Sequence, residues 1–249
     1  MATAFDLTGK TILVTGASSG IGRECCVQIA RMGGTVLLTA RRAELLEGVR
    51  AGLPGVGHRC IAGDIWELVT SGRLISSLPQ LDGVVHAAGF TKLVPVRAVS
   101  GQFMREIAQT NYEAPVLLSQ QLLGRRKLRP SASVVFITSI AARIATRGNS
   151  VYSGLKGALC SFSRVMALEV ASQKIRVNTI SPGQVKTPIM ASLALISLKA
   201  FKAACCVGVA LDSDLLPCSN FRSCVRNAAN SLPIRCKSGF CGVANLPRA

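Results

Sequence analysis

The stretch Thr15-Gly16-Ala17-Ser18-Ser19-Gly20-Ile21-Gly22 decides how this chain folds. It follows a short β-branched run, Thr11–Thr15, and opens an apolar helical pattern at Ile21–Met32, so it predicts a tight strand-to-helix turn. Glycines let such a turn bend sharply and approach a pyrophosphate, while the free N–H groups of the helix start face the phosphates. An ordinary strand-to-helix turn is the alternative that the glycines alone leave open. The expected phosphate-binding residues are Gly16, Ser18, Ser19, Gly20, Ile21 and Gly22.

Short β-branched runs alternate with longer amphipathic stretches through the first 181 residues. This alternation is typical of βαβ units, so the sequence predicts one α/β domain built round a parallel sheet. We expect Pro115 to kink or restart the second-to-last helix. The predicted strands are Thr11–Thr15, Thr35–Thr39, Arg59–Ala62, Gly83–His86, Val134–Thr138 and Arg176–Ile180, and the predicted helices are Ile21–Met32, Ala43–Ala51, Trp66–Ser77, Gly101–Gly124 and Val151–Ser172.

Length and composition narrow the class of protein. A chain of 249 residues with 49% hydrophobic content can bury a large core. No apolar run reaches the roughly 18 to 20 residues that span a bilayer, and MATAFDLTGK lacks the regions of a signal peptide, so we expect a cytoplasmic protein without a membrane partner.

The ten cysteines show no ligand-like spacing, and Cys25 and Cys26 lie within a helical pattern. We expect reduced thiols and no metal site.

A formal charge of +17 raises the question of an anionic partner. The longest basic cluster, Arg125, Arg126, Lys127 and Arg129, lies at the end of a predicted helix, where the helix dipole favours cations. We therefore interpret most of this charge as a solvated surface and expect no nucleic-acid partner. Anionic ligands remain open.

The end of the second predicted strand selects the cofactor. An acid there would bind the adenosine ribose and repel a 2′-phosphate, whereas an arginine would pair with that phosphate. The sequence reads Leu38-Thr39-Ala40-Arg41-Arg42, with Ala40 where an acid would favour NAD. Arginines at a helix start oppose the helix dipole, which a merely solvated role would leave unexplained. The sequence predicts NADP(H), bound through Arg41.

Tyr152 and Lys156 form a candidate acid/base pair, four residues apart on one helix face. A tyrosine has a pKa of about 10, and lowering it by about three units takes about 4 kcal/mol. One ammonium about 4 Å away supplies this at an effective dielectric near 20. Ser139 directly follows the carboxyl end of the fifth predicted strand, at the sheet edge where open α/β proteins bind ligands. The pair can therefore protonate a carbonyl oxygen as hydride arrives.

These motifs resemble those of the classical short-chain dehydrogenase/reductase family. TGASSGIG is similar to the family's TGxxxGxG turn, Ser139, Tyr152 and Lys156 match its Ser…Tyr-x3-Lys pattern, and the similarity spans residues 7–190. The resemblance implies a single-domain, Rossmann-type doubly wound parallel sheet. It also implies an NADP(H)-dependent oxidoreductase that transfers a hydride between the nicotinamide and a ketone or secondary alcohol.

The resemblance implies roles for further residues. Ser139 would orient the substrate oxygen, Asn111 would hold a water on Lys156, and Lys156 would also bind the ribose. His86 departs from the family, which more often has Asn-Asn-Ala-Gly where this chain has His86-Ala87-Ala88-Gly89; we expect a histidine packed under the cofactor. The other implied cofactor contacts are Asp64, Ile65, Ala88, Gly89, Pro182, Gly183, Val185 and Thr187.

The resemblance fades after Met190. Residues 191–249 hold six of the ten cysteines and only two acids, with no Asp-Gly-Gly, and Pro217–Ala249 shows no alternating strand. We divide the chain into a core of residues 1–190 and an atypical Cys-rich segment, 191–249, which a shifted reading frame or an altered exon would produce. This segment leaves open the last strand of the sheet, the substrate pocket and the homodimer or homotetramer usual in the family.

Two hypotheses follow for the function. The first is a carbonyl reductase, with 3-oxoacyl, steroid, sugar and xenobiotic carbonyls all open; a basic surface would suit an acidic carrier protein. The second is a cofactor-binding protein with little or no turnover because of the altered segment.

Overall fold

The computed structural model describes residues 6–183, 185 and 187, and within them six strands form one sheet. All neighbouring strands are parallel, in the order β3-β2-β1-β4-β5-β6. This order confirms the Rossmann-type doubly wound sheet. The strands are β1 (Thr11–Thr15), β2 (Thr35–Ala40), β3 (Arg59–Ala62), β4 (Leu81–His86), β5 (Leu128–Ile137) and β6 (Arg176–Ile180).

Helices connect the strands and cover both faces of the sheet. They are α1 (Gly20–Arg31), α2 (Ala43–Ala51), α3 (Ile65–Thr70), α4 (Arg73–Ser77), α5 (Gly101–Ala108), α6 (Ala114–Gly124) and α7 (Ser150–Glu169). Short 3₁₀ turns lie at Val96–Ala98, Ile140–Ala142 and Ala171–Gln173, and a π-helical turn lies at Gln109–Glu113.

Alternate residues of each central strand pack on opposite faces, as the period of two requires. On one face, Leu13 of β1 joins a cluster with buried residues of α3, α4, α6 and α7. On the other, Ile12 and Val14 pack with buried residues of α1 and α2. The strands are therefore apolar on both sides, which explains why they appear in the sequence as continuous β-branched runs.

Two predicted helices are interrupted. The predicted helix Trp66–Ser77 is two helices, because Gly72 adopts φ 70° between them. The predicted helix Gly101–Gly124 contains the π-helical turn, after which α6 begins with Pro115 in its first turn. Proline has no N–H to donate to the preceding turn, so the expected restart of this helix is confirmed.

The strand order indicates where the sheet would bind a ligand. β1 lies between β2 and β4: the strands β2 and β3 follow on one side of β1, and the strands β4, β5 and β6 follow on its other side. In open α/β sheets, ligands bind in the crevice at the carboxyl ends of the two strands that flank such a switch point. The predicted segment 191–249 and the family's last strand lie outside the described residues.

Candidate active site

The glycine turn between β1 and α1 is tightly packed. Gly16 has φ +67°, and a Cβ there would lie 2.8 Å from the carbonyl oxygen of Ala87. A Cβ on Gly22 would lie 2.3 Å from the carbonyl oxygen of Gly16. Both positions therefore exclude any side chain, and the turn brings the start of α1 against the carboxyl end of β1. The first turn of α1 carries no acid, which leaves its N–H groups available to an anion.

Thr15 ties this turn to the end of β4, a role that the sequence analysis missed. Its Oγ1 accepts hydrogen bonds from the amides of Ala87 and Ala88, at 3.1 and 3.0 Å. The Ala88–Gly89 backbone, a predicted ribose contact, is thereby held beside the glycine turn. A threonine at a strand end gives no sequence signal for this role, because its partners are more than 70 residues away.

The ends of β2 and β3 bring Arg41, Arg42 and Asp64 close to the turn. Arg41 Nε lies 4.0 Å from Asp64 Oδ2, and the Arg41 side chain is 73% exposed. Asp64 also caps α3 by accepting from the amide of Trp66. Arg42, which the cofactor prediction did not choose, reaches back to the glycine turn, where its Nη2 donates to Ser19 Oγ at 3.1 Å.

Asn111, Gly89 and Lys156 converge at the next part of the edge. Asn111 is buried in the π-helical turn, and its Nδ2 donates to the carbonyl oxygens of Phe90 and Ile107. Its Oδ1 is buried and has no hydrogen-bond partner among the described residues. A Cβ on Gly89 would lie 2.8 Å from this Oδ1 and 3.5 Å from Lys156 Nζ. An unpaired acceptor thus lies near a buried ammonium, which is where a bridging water fits.

Lys156 is buried and its Nζ donates to the carbonyl oxygen of Ile137 at 3.0 Å. Burial lowers the pKa of Lys156 to about 8, against a smaller opposing effect of Cys160. The ammonium also lies 5.6 Å from the centroid of the Tyr152 ring. Moving an ammonium out of water is unfavourable, and buried charged groups of this kind are typical of functional sites.

Tyr152 lies on the same helix as Lys156, and Ser139 faces it from the start of the 3₁₀ turn Ile140–Ala142. Burial raises the pKa of Tyr152, and the hydrogen bond with Ser139 lowers it by less. From the sequence, Lys156 is expected to lower this pKa. In the structure desolvation outweighs the groups that contact the phenol, because the side chain is mostly buried.

His86 is buried at the end of β4 and does not face the catalytic groups. Its ring stacks on Phe136 of β5, with centroids 4.5 Å apart, and its Nε2 lies 3.3 Å from Ser119 Oγ. Burial lowers the pKa of His86 to about 3, so the ring is neutral near pH 7.

The remaining predicted contacts follow the strands. Ile65 is buried in the first turn of α3. The carbonyl oxygen of Pro182, after β6, accepts from the amide of Ile140, and Gly183 is exposed beside the Ile140 side chain. Val185 and Thr187 are half-buried.

In the part of the chain that the structure describes, no group of three or more metal-ligating side chains is found, and no helix has the length and apolarity to cross a bilayer.

Comparisons with known proteins agree with this arrangement. The profile of the short chain dehydrogenase family matches residues 10–195, and the chain belongs to this family of oxidoreductases, which bind NAD(P) and act on small molecules. The chain is 34% identical to the Escherichia coli K12 oxidoreductase YciK over 196 residues, 75% of this chain and 77% of that protein.

Two further relatives are informative. Human L-xylulose reductase is 31% identical over 183 residues, 73% of this chain and 74% of its own. A short-chain dehydrogenase from Escherichia coli CFT073, solved in complex with NADPH, is 31% identical with a TM-score of 0.67, covering 78% of this chain and 85% of that one.

Proposed function

We propose that this protein is an NADP(H)-dependent reductase of ketones, or a dehydrogenase of secondary alcohols, with Tyr152 as the acid/base. The nicotinamide supplies or accepts the hydride when the cofactor is bound. Ser139 orients the substrate oxygen, and Tyr152 gives or takes the proton at that oxygen. Lys156 binds the ribose and favours the tyrosinate, and Asn111 holds a water against its ammonium.

The observation that carries the proposal is that Asn111 Oδ1 and Lys156 Nζ both lie beside Gly89, 2.8 and 3.5 Å from the position that a Cβ would take there. A buried acceptor without a partner costs free energy, and so does a buried ammonium. A bound water would accept from the ammonium and donate to Oδ1, and it would connect Lys156 to solvent for proton transfer. The buried amide oxygen of Asn111 and the buried ammonium of Lys156 would then both be part of one proton path that ends at Tyr152.

The choice of NADP(H) rests on positive charge at the end of β2. Arg41 is exposed and weakly paired with Asp64, and Arg42 lies over Ser18 and Ser19. A phosphate on the adenosine ribose would meet both guanidinium groups, and charge-assisted pairs of this kind are strong. The NADPH complex of the Escherichia coli relative adds support. The other predicted cofactor contacts remain part of this proposal, from Gly16 and Asp64 to Val185 and Thr187.

We further propose a cytoplasmic protein whose core is residues 1–190, forming a homodimer or homotetramer and acting on a small carbonyl compound. The likeness to L-xylulose reductase makes ketoses the first compounds to test. Other 3-oxoacyl, steroid and xenobiotic ketones form the rest of the panel.

Cofactor choice is tested with Arg41→Asp, followed by fluorescence titration with NADPH and NADH. Loss of one charge-assisted pair, worth about 1.5 to 3 kcal/mol, lowers NADPH affinity by more than about tenfold. Arg59→Asp is the matched control, because it makes the same charge change at the amino end of β3, whereas Arg41 follows the carboxyl end of the neighbouring strand β2. Unchanged preference in Arg41→Asp, or an equal loss in Arg59→Asp, would refute the role of Arg41.

Turnover is tested with the full chain and NADPH on the carbonyl panel. Reduction of any member supports the proposed reaction. Tight NADPH binding with no turnover across the panel supports the second hypothesis, a cofactor-binding protein without catalysis.

A further inference from the structure

We propose that His86 is a positioning residue, which acts through an aromatic stack that fixes α7, and with it Lys156, against β5. The stack consists of His86, Phe136 and Phe162, and we call it the β4–β5–α7 stack. Its functional consequence rests on the proposed role of Lys156, but its structural claim does not.

The first contact of the stack joins two strands. His86 and Phe136 are directly paired in the register of β4 and β5, so their side chains leave the sheet on the same face. Their rings are nearly parallel, at 6° with centroids 4.5 Å apart, and both are buried. A neutral imidazole stacks on a phenyl ring without the desolvation cost of a cation, and burial keeps His86 neutral.

The second contact joins the strand to the catalytic helix. Phe162 lies on α7, and its ring meets Phe136 edge-on, at 86° with centroids 5.9 Å apart. Edge-to-face contacts of this kind depend strongly on orientation. Phe136 is therefore held between the His86 ring at the end of β4 and a ring on the helix that carries Tyr152 and Lys156.

The third contact fixes the imidazole itself. Ser119 Oγ, on α6, donates its one hydrogen to the carbonyl oxygen of Pro115 at 2.7 Å. It therefore accepts from His86 Nε2, at 3.3 Å, and this fixes the ring orientation. A histidine provides both the flat stacking face and this donor, which explains why the departure from asparagine at this position is tolerated in a buried site.

The position of α7 matters because Lys156 makes its hydrogen bond across the same interface. The acceptor of its ammonium, Ile137, is the residue that follows Phe136 on β5. Among the residues that the structure describes, its other polar neighbours are Tyr152 and Cys160 on α7 and Asn111 on the π-helical turn. If the stack loosens, α7 moves from β5 and water reaches the ammonium, so the burial that lowers its pKa becomes weaker.

The test is the pKa of Lys156, measured by NMR of ¹³Cε-labelled lysine in the full chain without added nucleotide. The Lys156→Met variant assigns the signal. His86→Asn removes the stacking ring, and we expect it to raise the Lys156 pKa by about half a unit or more, since a hydrogen bond that the ammonium donates to an entering water favours the charged form by a comparable free energy. His86→Phe keeps the ring and should leave the Lys156 pKa close to that of the unchanged protein.

The matched control is Val69→Ala, which shortens a buried side chain of the same core cluster, on α3, outside the stack. It should lower the melting temperature without moving the Lys156 pKa. Phe162→Leu breaks the stack from α7 and should raise the Lys156 pKa by the same amount as His86→Asn. It also serves as the test variant if His86→Asn does not fold. An unmoved Lys156 pKa in Phe162→Leu, or an equal shift in Val69→Ala, would overturn the proposal. Because no nucleotide or carbonyl is used, these outcomes stand apart from failure of the proposed reaction.

Discussion

Replacing Lys156 by methionine should make the protein more stable near neutral pH and less stable in alkali. The reason is the cost of burying the ammonium. Its pKa falls from 10.5 in the unfolded chain to about 8 in the folded one, a difference that corresponds to about 3 kcal/mol. Below pH 8 both states carry the proton and the full cost is present. Between these two values the unfolded chain binds more protons than the folded chain, so stability rises with pH.

Methionine has a similar length and no charge, so it removes that cost. It also leaves the carbonyl oxygen of Ile137 without the donor that Lys156 provides, which costs about 1 kcal/mol. At pH 7 the variant should therefore be about 2 kcal/mol more stable than the unchanged protein. Above the unfolded pKa the lysine is neutral in both states, and the variant should be about 1 kcal/mol less stable.

The measurement is urea unfolding of both proteins from pH 7 upward, followed by the fluorescence of Trp66, the chain's single tryptophan. Only the difference in the free energy of unfolding between the two proteins is compared, because the other titrating groups cancel in it. The difference should change sign as pH rises through the interval between the two pKa values. A difference that stays constant with pH, or a variant that is less stable at pH 7, would refute the argument.

Three further changes test the candidate site. Tyr152→Phe removes the proton donor and should lower kcat by at least about a hundredfold while the NADPH Kd stays unchanged; a fall in kcat below tenfold would contradict the acid/base role. Gly22→Ala places a Cβ 2.3 Å from the Gly16 carbonyl oxygen, so titration should show NADPH affinity falling by tenfold or more, since the turn must open. Thr15→Val leaves two amides without an acceptor and should cost about 2 kcal/mol in urea unfolding; an unchanged midpoint would show that the amides find other partners.

Much of the fold could be predicted because its signals are local. The boundaries of β1, α2, β3 and β6 agree with the sequence prediction, and β1, α2 and β3 are each an apolar or amphipathic run bounded by polar residues or glycine. Breaks and extensions of these elements were harder to predict from the sequence. The break at Gly72 depends on a positive φ that the helical pattern hides, and β5 extends back to Leu128 through residues without alternation.

The chemistry of the candidate site was only partly predictable. Residue identity and spacing indicated Tyr152, Lys156 and Asn111, because those groups are chemically sufficient and share a helix face or a family pattern. Spacing cannot give burial, however, and burial decides that the pKa of Tyr152 is raised. The reach of Arg42 to the glycine turn and the stacking of His86 also depend on contacts between segments that are distant in the sequence.

The costs found at the carboxyl edge of the sheet argue against a chain that only binds a nucleotide. A cradle for phosphates needs the glycine turn, but it does not need a buried ammonium or a buried amide oxygen without a partner. Burial lowers the pKa of Lys156, whose ammonium lies 5.6 Å from the centroid of the Tyr152 ring, and Asn111 Oδ1 is buried without a hydrogen-bond partner among the described residues. Unfavourable groups that cluster at one place are typical of catalytic sites, where stability is given up for function.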